Sequence, residues 1–353
     1  MFQDGVLILL GLVALVVGAS WLVKGAARIA QAFGVSPLVI GLTVVAFGTS
    51  APELVVSVSA ALRDASDIAV GNVVGSNIFN IAVVLGVSAL LYPVRVDSVV
   101  LRRDIPLMIG VSVALWLVIL DGELSRLEGM LFVAGLFIYT AWLLRASGPG
   151  DPLADSSASE VGALLATRSN LSLEFGRAAL GVGGLVLGAN LMIEGAVGIA
   201  RGFGVSELVI GLTLVAGGTS LPELATSAVA ALRKESDIAV GNVVGSNLFN
   251  ILWILGLSSV IRPIAVAENV VNIDALVMIA VALLLVPFAL RQQLGRPVGV
   301  LFGGGLRGLH RVPHRSREAR RAGWGGRQVG AGRATGRLGA GRAIMGALDG
   351  ENI

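Results

Sequence analysis

Long apolar runs separated by short polar segments dominate the hydropathy pattern of this chain. Runs without any charged residue cover positions 5–23, 38–47, 107–120, 131–144, 178–193 and 275–290. Several of them approach the roughly 20 residues that a helix needs to cross the hydrocarbon core of a bilayer. The period-two alternation that marks a membrane β-barrel is absent. The pattern therefore predicts an all-α integral membrane protein.

The chain repeats itself at an offset of 170 residues. Residues 39–86 match residues 209–256 at 35 of 48 positions without a gap, and weaker matches extend outward. Each copy holds about five candidate spans, near 5–30, 37–62, 67–91, 104–120 and 127–145, and near 174–200, 207–232, 237–261 and 271–290 with a fifth beginning near 297. An odd number of spans per copy places the copies in opposite orientations. This is the inverted-repeat pattern of many secondary transporters.

The repeat divides the chain into four regions. They are a first membrane repeat (1–145), a linker rich in Gly, Pro, Ser and Asp (146–172), a second membrane repeat (173–302), and an Arg/Gly-rich tail (303–353). The first copy ends in the apolar segment "VAGLFIYTAWLL", whereas the second loses its match after Phe302. Two interpretations stay open: a disordered basic tail, or a reading-frame slip. We predict a ten-helix transporter architecture whose last helix is lost or frame-shifted.

Composition agrees with a membrane location and argues against a nucleic-acid partner. The chain is 55% hydrophobic and only 14% charged, against about a quarter charged in soluble domains. From Arg296 onward, eleven arginines face three acids, although the whole chain carries only +3. The basic character therefore belongs to the tail. The chain has no cysteine, which excludes disulfides and thiolate metal sites.

Lysine and arginine are distributed unequally between the two sets of loops. One set carries eleven of them, Arg28, Arg95, Arg102, Arg103, Arg145, Arg168, Arg177, Arg233, Lys234, Arg291 and Arg296, and the other only Arg63, Arg126, Arg201 and Arg262. The richer side is expected to be cytoplasmic. We therefore predict that the N-terminus lies outside the cell and that the 146–172 linker is cytoplasmic.

Candidate chemistry lies in the duplicated segment "GLTVVAFGTSAPEL" (41–54), repeated as "GLTLVAGGTSLPEL" (211–224). Pro52 and Pro222 have no N–H, so each releases a carbonyl about one turn earlier in its helix. Hydroxyl and carboxylate oxygens accompany these carbonyls, from Thr49, Ser50 and Glu53 and from Thr219, Ser220 and Glu223.

Oxygen donors of these three kinds suit a hard cation, since Ca²⁺ takes about six to eight oxygens in flexible geometry. The charge of −2 suits one Ca²⁺ or two or more Na⁺. An acid in the bilayer costs ~2.5 kcal/mol or more and is by default part of an ion pathway. That interpretation is favoured over a structural acid that bonds internally or pairs with arginine.

The next span of each copy reads "SDIAVGNVVGSN" and offers neutral oxygens. Ser76 and Asn80 are four residues apart and share a helix face, as do Ser246 and Asn250. They can add ligands to the same site, with interhelical hydrogen bonding as the alternative. For Asn77 and Asn247, which lie off that face, we expect interhelical hydrogen bonds.

The paired motifs "GTSAPE…GNVVGSNIFN" and "GTSLPE…GNVVGSNLFN" resemble the two alpha repeats of the sodium/calcium exchanger family, in the cation/calcium antiporter superfamily. The resemblance covers about residues 5–302 and is nearest to the compact prokaryotic type. It implies two inverted five-helix repeats, with Na⁺ and Ca²⁺ bound alternately at four adjacent midplane sites and with the first and sixth spans sliding as a gate. Carried over by position, the implied ligands are Glu53, Glu223, Thr49, Ser50, Thr219, Ser220, Ser76, Asn80, Ser246 and Asn250, with the backbone carbonyls of Ala46 and Ala216.

We accordingly predict a secondary active antiporter, not an enzyme, that exchanges Ca²⁺ for Na⁺ without a cofactor. We expect a monomer in the inner (plasma) membrane that crosses the lipid bilayer several times. Two alternatives stay open: a H⁺/Ca²⁺ antiporter that uses the same glutamates, and a transport-inactive membrane paralogue. The resemblance favours Na⁺ over H⁺, because proton-coupled relatives usually carry an Asn-containing motif in place of GTSxPE. It also disfavours K⁺ dependence, because Asn250 stands where the potassium-dependent branch has Asp.

Overall fold

A computed structural model describes residues 2–146, 171–204 and 216–295 of the chain. Within these ranges, seven helices are long and apolar enough to cross a bilayer, and the bent pair Pro37–Thr49 and Ala51–Leu62 adds an eighth. The prediction of an all-α, multi-pass membrane protein is thereby confirmed. The predictions for most of the linker, the start of the seventh span, the tenth span and the tail lie outside the described residues.

The first half contains eight helices, which are α1 (Phe2–Phe33), α2 (Pro37–Ile40), α3 (Ala46–Thr49), α4 (Ala51–Leu62), α5 (Ser66–Phe79), α6 (Gly86–Leu91), α7 (Ile105–Val118) and α8 (Arg126–Ala146). The described part of the second half contains α9 (Leu171–Gly202), α10 (Ala216–Gly218), α11 (Leu221–Leu232), α12 (Ser236–Phe249), α13 (Gly256–Ile261) and α14 (Ala275–Ala289).

Turns of π-helix join several of these helices, at Gly41–Val45, Asn80–Leu85, Val100–Asp104, Asn250–Leu255 and Val270–Asp274, and a 3-10 turn follows at Ile119–Asp121. Because of the π turns, α5 and α6 form one continuous span, as do α12 and α13. The second-half elements follow their first-half counterparts at the offset of the sequence repeat, so the duplication extends to the irregular turns.

Two short antiparallel ribbons tie the halves together. Strand β1 (Val94–Arg95) pairs with β4 (Gln293–Leu294), and β2 (Glu123–Leu124) pairs with β3 (Ile264–Ala265). In both ribbons, the strand after the third span of one copy pairs with the strand after the fourth span of the other.

Helices α1 and α9 pack backbone to backbone along a glycine seam. A Cβ atom built on Gly11 would lie 2.7 Å from the carbonyl oxygen of Gly188, and one built on Gly18 would lie 2.8 Å from that of Gly181. Small residues of this kind allow close helix approach in membranes. Gly11 precedes Gly18 in α1, whereas its partner Gly188 follows Gly181, the partner of Gly18, in α9. The two helices therefore run antiparallel, as inverted repeats require.

A buried acid anchors the same helix pair at one end. Glu174 is 2% exposed and accepts a hydrogen bond of 2.6 Å from Arg28 Nη1 and another from Arg177. Since Arg28 belongs to α1 and Glu174 to α9, their ion pair holds the two helices together in addition to the close packing at the glycine seam.

Candidate functional site

A helix break in each half carries the Thr-Ser-x-Pro-Glu motif. Helix α3 ends at Thr49, α4 begins at Ala51, and Ser50 between them has φ −81° and ψ 10°. The two helical segments meet at an angle of 50°. Pro52 lies in the first turn of α4, where its missing N–H leaves no helical bond unmade. The proline thus starts a new helix, instead of only loosening a continuous one as the sequence predicted.

The second half has the same break, with Ser220 at φ −88° and ψ 9° before α11. Glu53 and Glu223 therefore both lie in the first turn of a helix. Free N–H groups and the positive end of the helix dipole favour an acid at this position. The local fold thus accounts for how two carboxylates are accommodated in the apolar bundle.

The two glutamates exchange hydrogen bonds with the serines of the opposite half. Ser50 Oγ donates to Oε1 of Glu223 at 2.9 Å, and Ser220 Oγ donates to Oε1 of Glu53 at 3.0 Å. Both glutamates are fully buried. Their second oxygens, Oε2, are also buried and have no hydrogen-bond partner among the residues that the structure describes. Each carboxylate is thus held at one oxygen and left open at the other.

The neighbouring spans contribute neutral oxygen atoms that are also buried. Asn80 Oδ1, Asn250 Oδ1 and Ser246 Oγ are buried and find no partner within the described part of the chain. Ser76 Oγ, by contrast, lies 3.2 Å from Ser220 Oγ and is hydrogen-bonded to it. Asn80 and Asn250 are the first residues of π turns, which occur often at functional sites. Four predicted ligands thus lie on the spans that pack beside the two breaks.

The threonines are held by two asparagines that the sequence analysis did not single out. Thr49 Oγ1 lies 3.0 Å from Asn242 Oδ1 and also within reach of the Val45 and Ala46 carbonyls, at 3.1 and 3.3 Å. Asn242 Nδ2 donates to the Glu223 carbonyl at 3.4 Å and to Ser227 Oγ at 2.9 Å. Asn242 therefore joins the break of one half to the glutamate helix of the other.

Asn72 plays the same part in the first half. Its Nδ2 donates to the Glu53 carbonyl at 3.3 Å and to Ser57 Oγ at 3.0 Å, while its Oδ1 accepts from Thr219 Oγ1 at 3.5 Å. A signal for this residue existed in the sequence, because Asn72 is four residues before Ser76 and so continues the face already identified.

The two alanine positions were predicted to contribute backbone carbonyls. The Ala46 carbonyl accepts from Ser50 N at 3.0 Å as well as from the Thr49 hydroxyl, so its oxygen is engaged within the helix break. Ala216 is the first residue of α10 and follows the stretch 205–215, which is outside the described residues.

Asn77 and Asn247 form the interhelical hydrogen bonds that were expected of them, which confirms that prediction. Asn77 Nδ2 donates to the Asn247 carbonyl at 3.3 Å, and Asn77 Oδ1 accepts from Asn250 Nδ2 at 2.9 Å. Asn247 Oδ1 accepts from Asn80 Nδ2 at 3.3 Å.

Neither buried glutamate has a basic partner in the part of the chain that the structure describes. Glu174, Asp104 and Asp64, by contrast, each form an ion pair with arginine. A buried carboxylate without a compensating charge is costly. Two such groups, with further oxygen atoms beside them, have the chemistry expected of a cation site.

A multi-pass helical bundle with broken helices and buried oxygen donors is typical of a membrane transporter, not of an enzyme. The profile described as "Sodium/calcium exchanger protein" matches residues 5–145 and 174–304, and the chain belongs to this family. Its members are exchangers, so the chain is a cation antiporter.

Individual relatives support this assignment. The chain is 41% identical over 310 residues to the inner membrane protein YrbG of Escherichia coli (strain K12), covering 85% of this chain and 93% of YrbG. It is 38% identical over 314 residues to the sodium/calcium exchanger MaX1 of Methanosarcina acetivorans, covering 80% and 90%. A solved structure of the sodium-calcium exchanger NCX_Mj, soaked with 2.5 mM Na⁺ and 1 mM Sr²⁺, matches with a TM-score of 0.76 at 32% identity, covering 89% of this chain and 99% of NCX_Mj.

Proposed function

We propose that this chain exchanges Ca²⁺ for Na⁺ by alternating access through a site built on Glu53 and Glu223. The observation that carries the proposal is the reciprocal pair of carboxylates. Each accepts a hydrogen bond from a serine of the other half through Oε1 and has a buried Oε2 without a partner in residues 2–146, 171–204 and 216–295. The names of MaX1 and NCX_Mj support Na⁺ and Ca²⁺ as the exchanged ions.

The donor set supports a hard cation. It consists of the predicted ligands Glu53, Glu223, Thr49, Ser50, Thr219, Ser220, Ser76, Asn80, Ser246 and Asn250, all buried, with the Ala46 and Ala216 carbonyls as additional candidates. Every one of these groups offers oxygen, which suits Ca²⁺ and Na⁺. The two carboxylates balance the charge of one Ca²⁺.

Charge neutralisation supplies the coupling. A site of charge −2 cannot pass through a closed, dry state at low cost unless cations neutralise it. Ca²⁺ and Na⁺ compete for the same oxygens, so one species must leave before the other binds. Exchange of the two ions follows if the site can switch its access from one side of the membrane to the other only when it holds cations.

The moving element in this proposal is the pair α1 and α9. Their backbones approach closely at the glycine seam, and the Arg28–Glu174 ion pair joins the two helices at one end. We propose that they slide together across the rest of the bundle. We further propose that the protein is a monomer in the lipid of the inner membrane, with its N-terminus outside. The name of YrbG supports the inner membrane, and the distribution of basic residues supports the orientation.

Flux measurements in proteoliposomes test the exchange reaction and the identity of the counter-ion. Inside-loaded Na⁺ at clamped pH should drive uptake of ⁴⁵Ca²⁺, while a pH gradient without Na⁺ should not. Uptake driven by the pH gradient alone would establish H⁺/Ca²⁺ exchange instead. Absence of uptake under both gradients, from correctly folded protein, would indicate the transport-inactive paralogue.

A further inference from the structure

Two buried methionines lie at the ends of hydrogen-bonded asparagine pairs that cross between the halves. In the first pair, Asn80 Nδ2 donates to Asn247 Oδ1 at 3.3 Å, and Asn247 Nδ2 lies 3.3 Å from Met108 Sδ. Asn80, Asn247 and Met108 are each at most 1% exposed. Asn80 and Met108 belong to the first half, and Asn247, which lies between them in the series of contacts, belongs to the second.

The second pair repeats this arrangement with the halves exchanged. Asn250 Nδ2 donates to Asn77 Oδ1 at 2.9 Å, and Asn77 Nδ2 lies 3.6 Å from Met278 Sδ. Met108 and Met278 occupy equivalent positions of the sequence repeat. Asn77 Nδ2 also donates to the Asn247 carbonyl at 3.3 Å, so Met278 sulfur shares the orientation of Asn77 with a backbone acceptor.

We call each series of two asparagines and one methionine a relay. The thioether at its end determines which way the two amide groups are oriented. A carboxamide has a donor end and an acceptor end, whereas methionine sulfur can only accept. Sulfur at Met108 therefore requires the NH₂ group of Asn247 on its side and turns Oδ1 of Asn247 toward Asn80. That oxygen in turn requires the NH₂ group of Asn80.

The side-chain amides of Asn80 and Asn250 then have only their oxygen atoms available to the proposed cation site. With Nδ2 engaged, Asn80 presents Oδ1, which is buried and has no partner among the described residues, and Asn250 does the same. If Asn247 were flipped, its oxygen would face the sulfur, and Asn80 would turn an NH₂ group toward the site. Amide oxygens bind cations and NH₂ groups repel them, so the orientation determines whether the site attracts an ion.

We propose that Met108 and Met278 are positioning residues, which act through Asn247 and Asn77 to keep Asn80 Oδ1 and Asn250 Oδ1 directed at the transported cation. This inference rests on the proposed function, because it takes Asn80 and Asn250 as cation ligands. It assigns a role in ion affinity to two apolar residues that do not themselves touch the ion.

Replacing sulfur by carbon tests the relay. Met108→Leu preserves volume approximately and removes the acceptor. Ca²⁺ affinity is measured on purified protein as Ca²⁺-dependent thermal stabilisation, in parallel with Na⁺-driven ⁴⁵Ca²⁺ uptake. We expect the Ca²⁺ concentration for half-maximal effect to rise about two- to fivefold, as for loss of one modest hydrogen bond. The melting temperature without Ca²⁺ should stay close to that of the wild type, and Met130→Leu, at an exposed methionine of α8, should change neither quantity.

A double-mutant cycle separates positioning from a general packing role. In an Asn247→Ala background, Met108→Leu should produce no further loss of affinity, whereas in an Asn77→Ala background its effect should persist. Met278→Leu with Asn77→Ala provides the mirror-image cycle if the first variant folds poorly. An unchanged affinity in both methionine variants, or an equal shift with and without Asn247, would overturn the inference.

The same data distinguish failure of this inference from failure of the proposed function. Affinity shifts that follow the relay, without Na⁺-driven uptake by the wild type, would overturn Na⁺/Ca²⁺ exchange and leave the relay standing. Normal wild-type uptake with unshifted methionine variants would overturn the relay alone. Absence of any Ca²⁺ effect on wild-type stability or flux would overturn both.

Discussion

Ser220 donates a hydrogen bond of 3.0 Å to Oε1 of Glu53, a residue 167 positions earlier in the chain. The equivalent bond joins Ser50 to Glu223 in the opposite sense. Each half therefore orients the acid of the other. This exchange explains why both copies of the motif carry the serine and the glutamate together.

Removal of one of these serine hydroxyls should weaken Ca²⁺ binding without unfolding the protein. Ser220→Ala frees Oε1 of Glu53, and a hydrogen bond to a charged group contributes about 1.5–3 kcal/mol. We expect the Ca²⁺ concentration for half-maximal uptake to rise about tenfold or more. Ser59→Ala, at a half-buried position of α4 beyond Glu53, is the matched control. Equal Ca²⁺ dependence of the two variants would contradict the assigned role of Ser220.

Asn242 should contribute more to stability than the serine it contacts. Asn242→Ala removes the bonds to Thr49, Ser227 and the Glu223 carbonyl together. Buried groups left without partners cost about 1–3 kcal/mol each. We expect a clearly lower melting temperature in detergent, and a smaller decrease for Ser227→Ala, which loses only one of these contacts. Equal decreases for both variants would show that Asn242 does not join the two halves.

Neighbouring glycines of α9 should respond oppositely to alanine. A Cβ atom on Gly181 would lie 2.6 Å from Leu22 N and 2.8 Å from Gly18 O, whereas one on Gly183 would meet no atom of the described residues within 4 Å. Gly181→Ala should therefore separate α9 from α1 and destabilise the protein by about 1–3 kcal/mol. Gly183→Ala should be neutral or slightly stabilising, because alanine is the better helix former. Thermal unfolding of the two variants measures the difference, and equal stability would exclude a tight seam.

Much of the architecture could be predicted because the signals were local and duplicated. The apolar runs indicated the spans, and the odd number of spans in each copy required opposite orientations, as the antiparallel pair α1 and α9 illustrates. Glu53 and Glu223 stood out because an acid in an apolar run has few explanations. The short ribbons could not be predicted, since a strand of two residues such as Val94–Arg95 carries no periodic signal.

The hydrogen bonds between the serine of one half and the glutamate of the other could not be predicted from the sequence either. The motif indicated that Ser50 and Glu53 contribute oxygens to one site, but not that Ser50 bonds Glu223. Such pairing depends on how the two halves meet, which local patterns do not specify. Asn72 was missed for a different reason: its four-residue spacing from Ser76 was visible, but only its contacts with the glutamate helix give it a role.

The central claim is that the two buried glutamates form one cation site that couples Ca²⁺ movement to Na⁺. Its most direct test is the initial rate of Na⁺-gradient-driven ⁴⁵Ca²⁺ uptake into proteoliposomes at clamped pH, for the wild type, Glu53→Gln and Glu223→Gln. Glutamine keeps the shape but removes half of the site charge, so Ca²⁺ is no longer neutralised. We predict rapid uptake by the wild type and a decrease of about tenfold or more in each variant at equal reconstituted amounts. Wild-type rates in both variants would contradict the account.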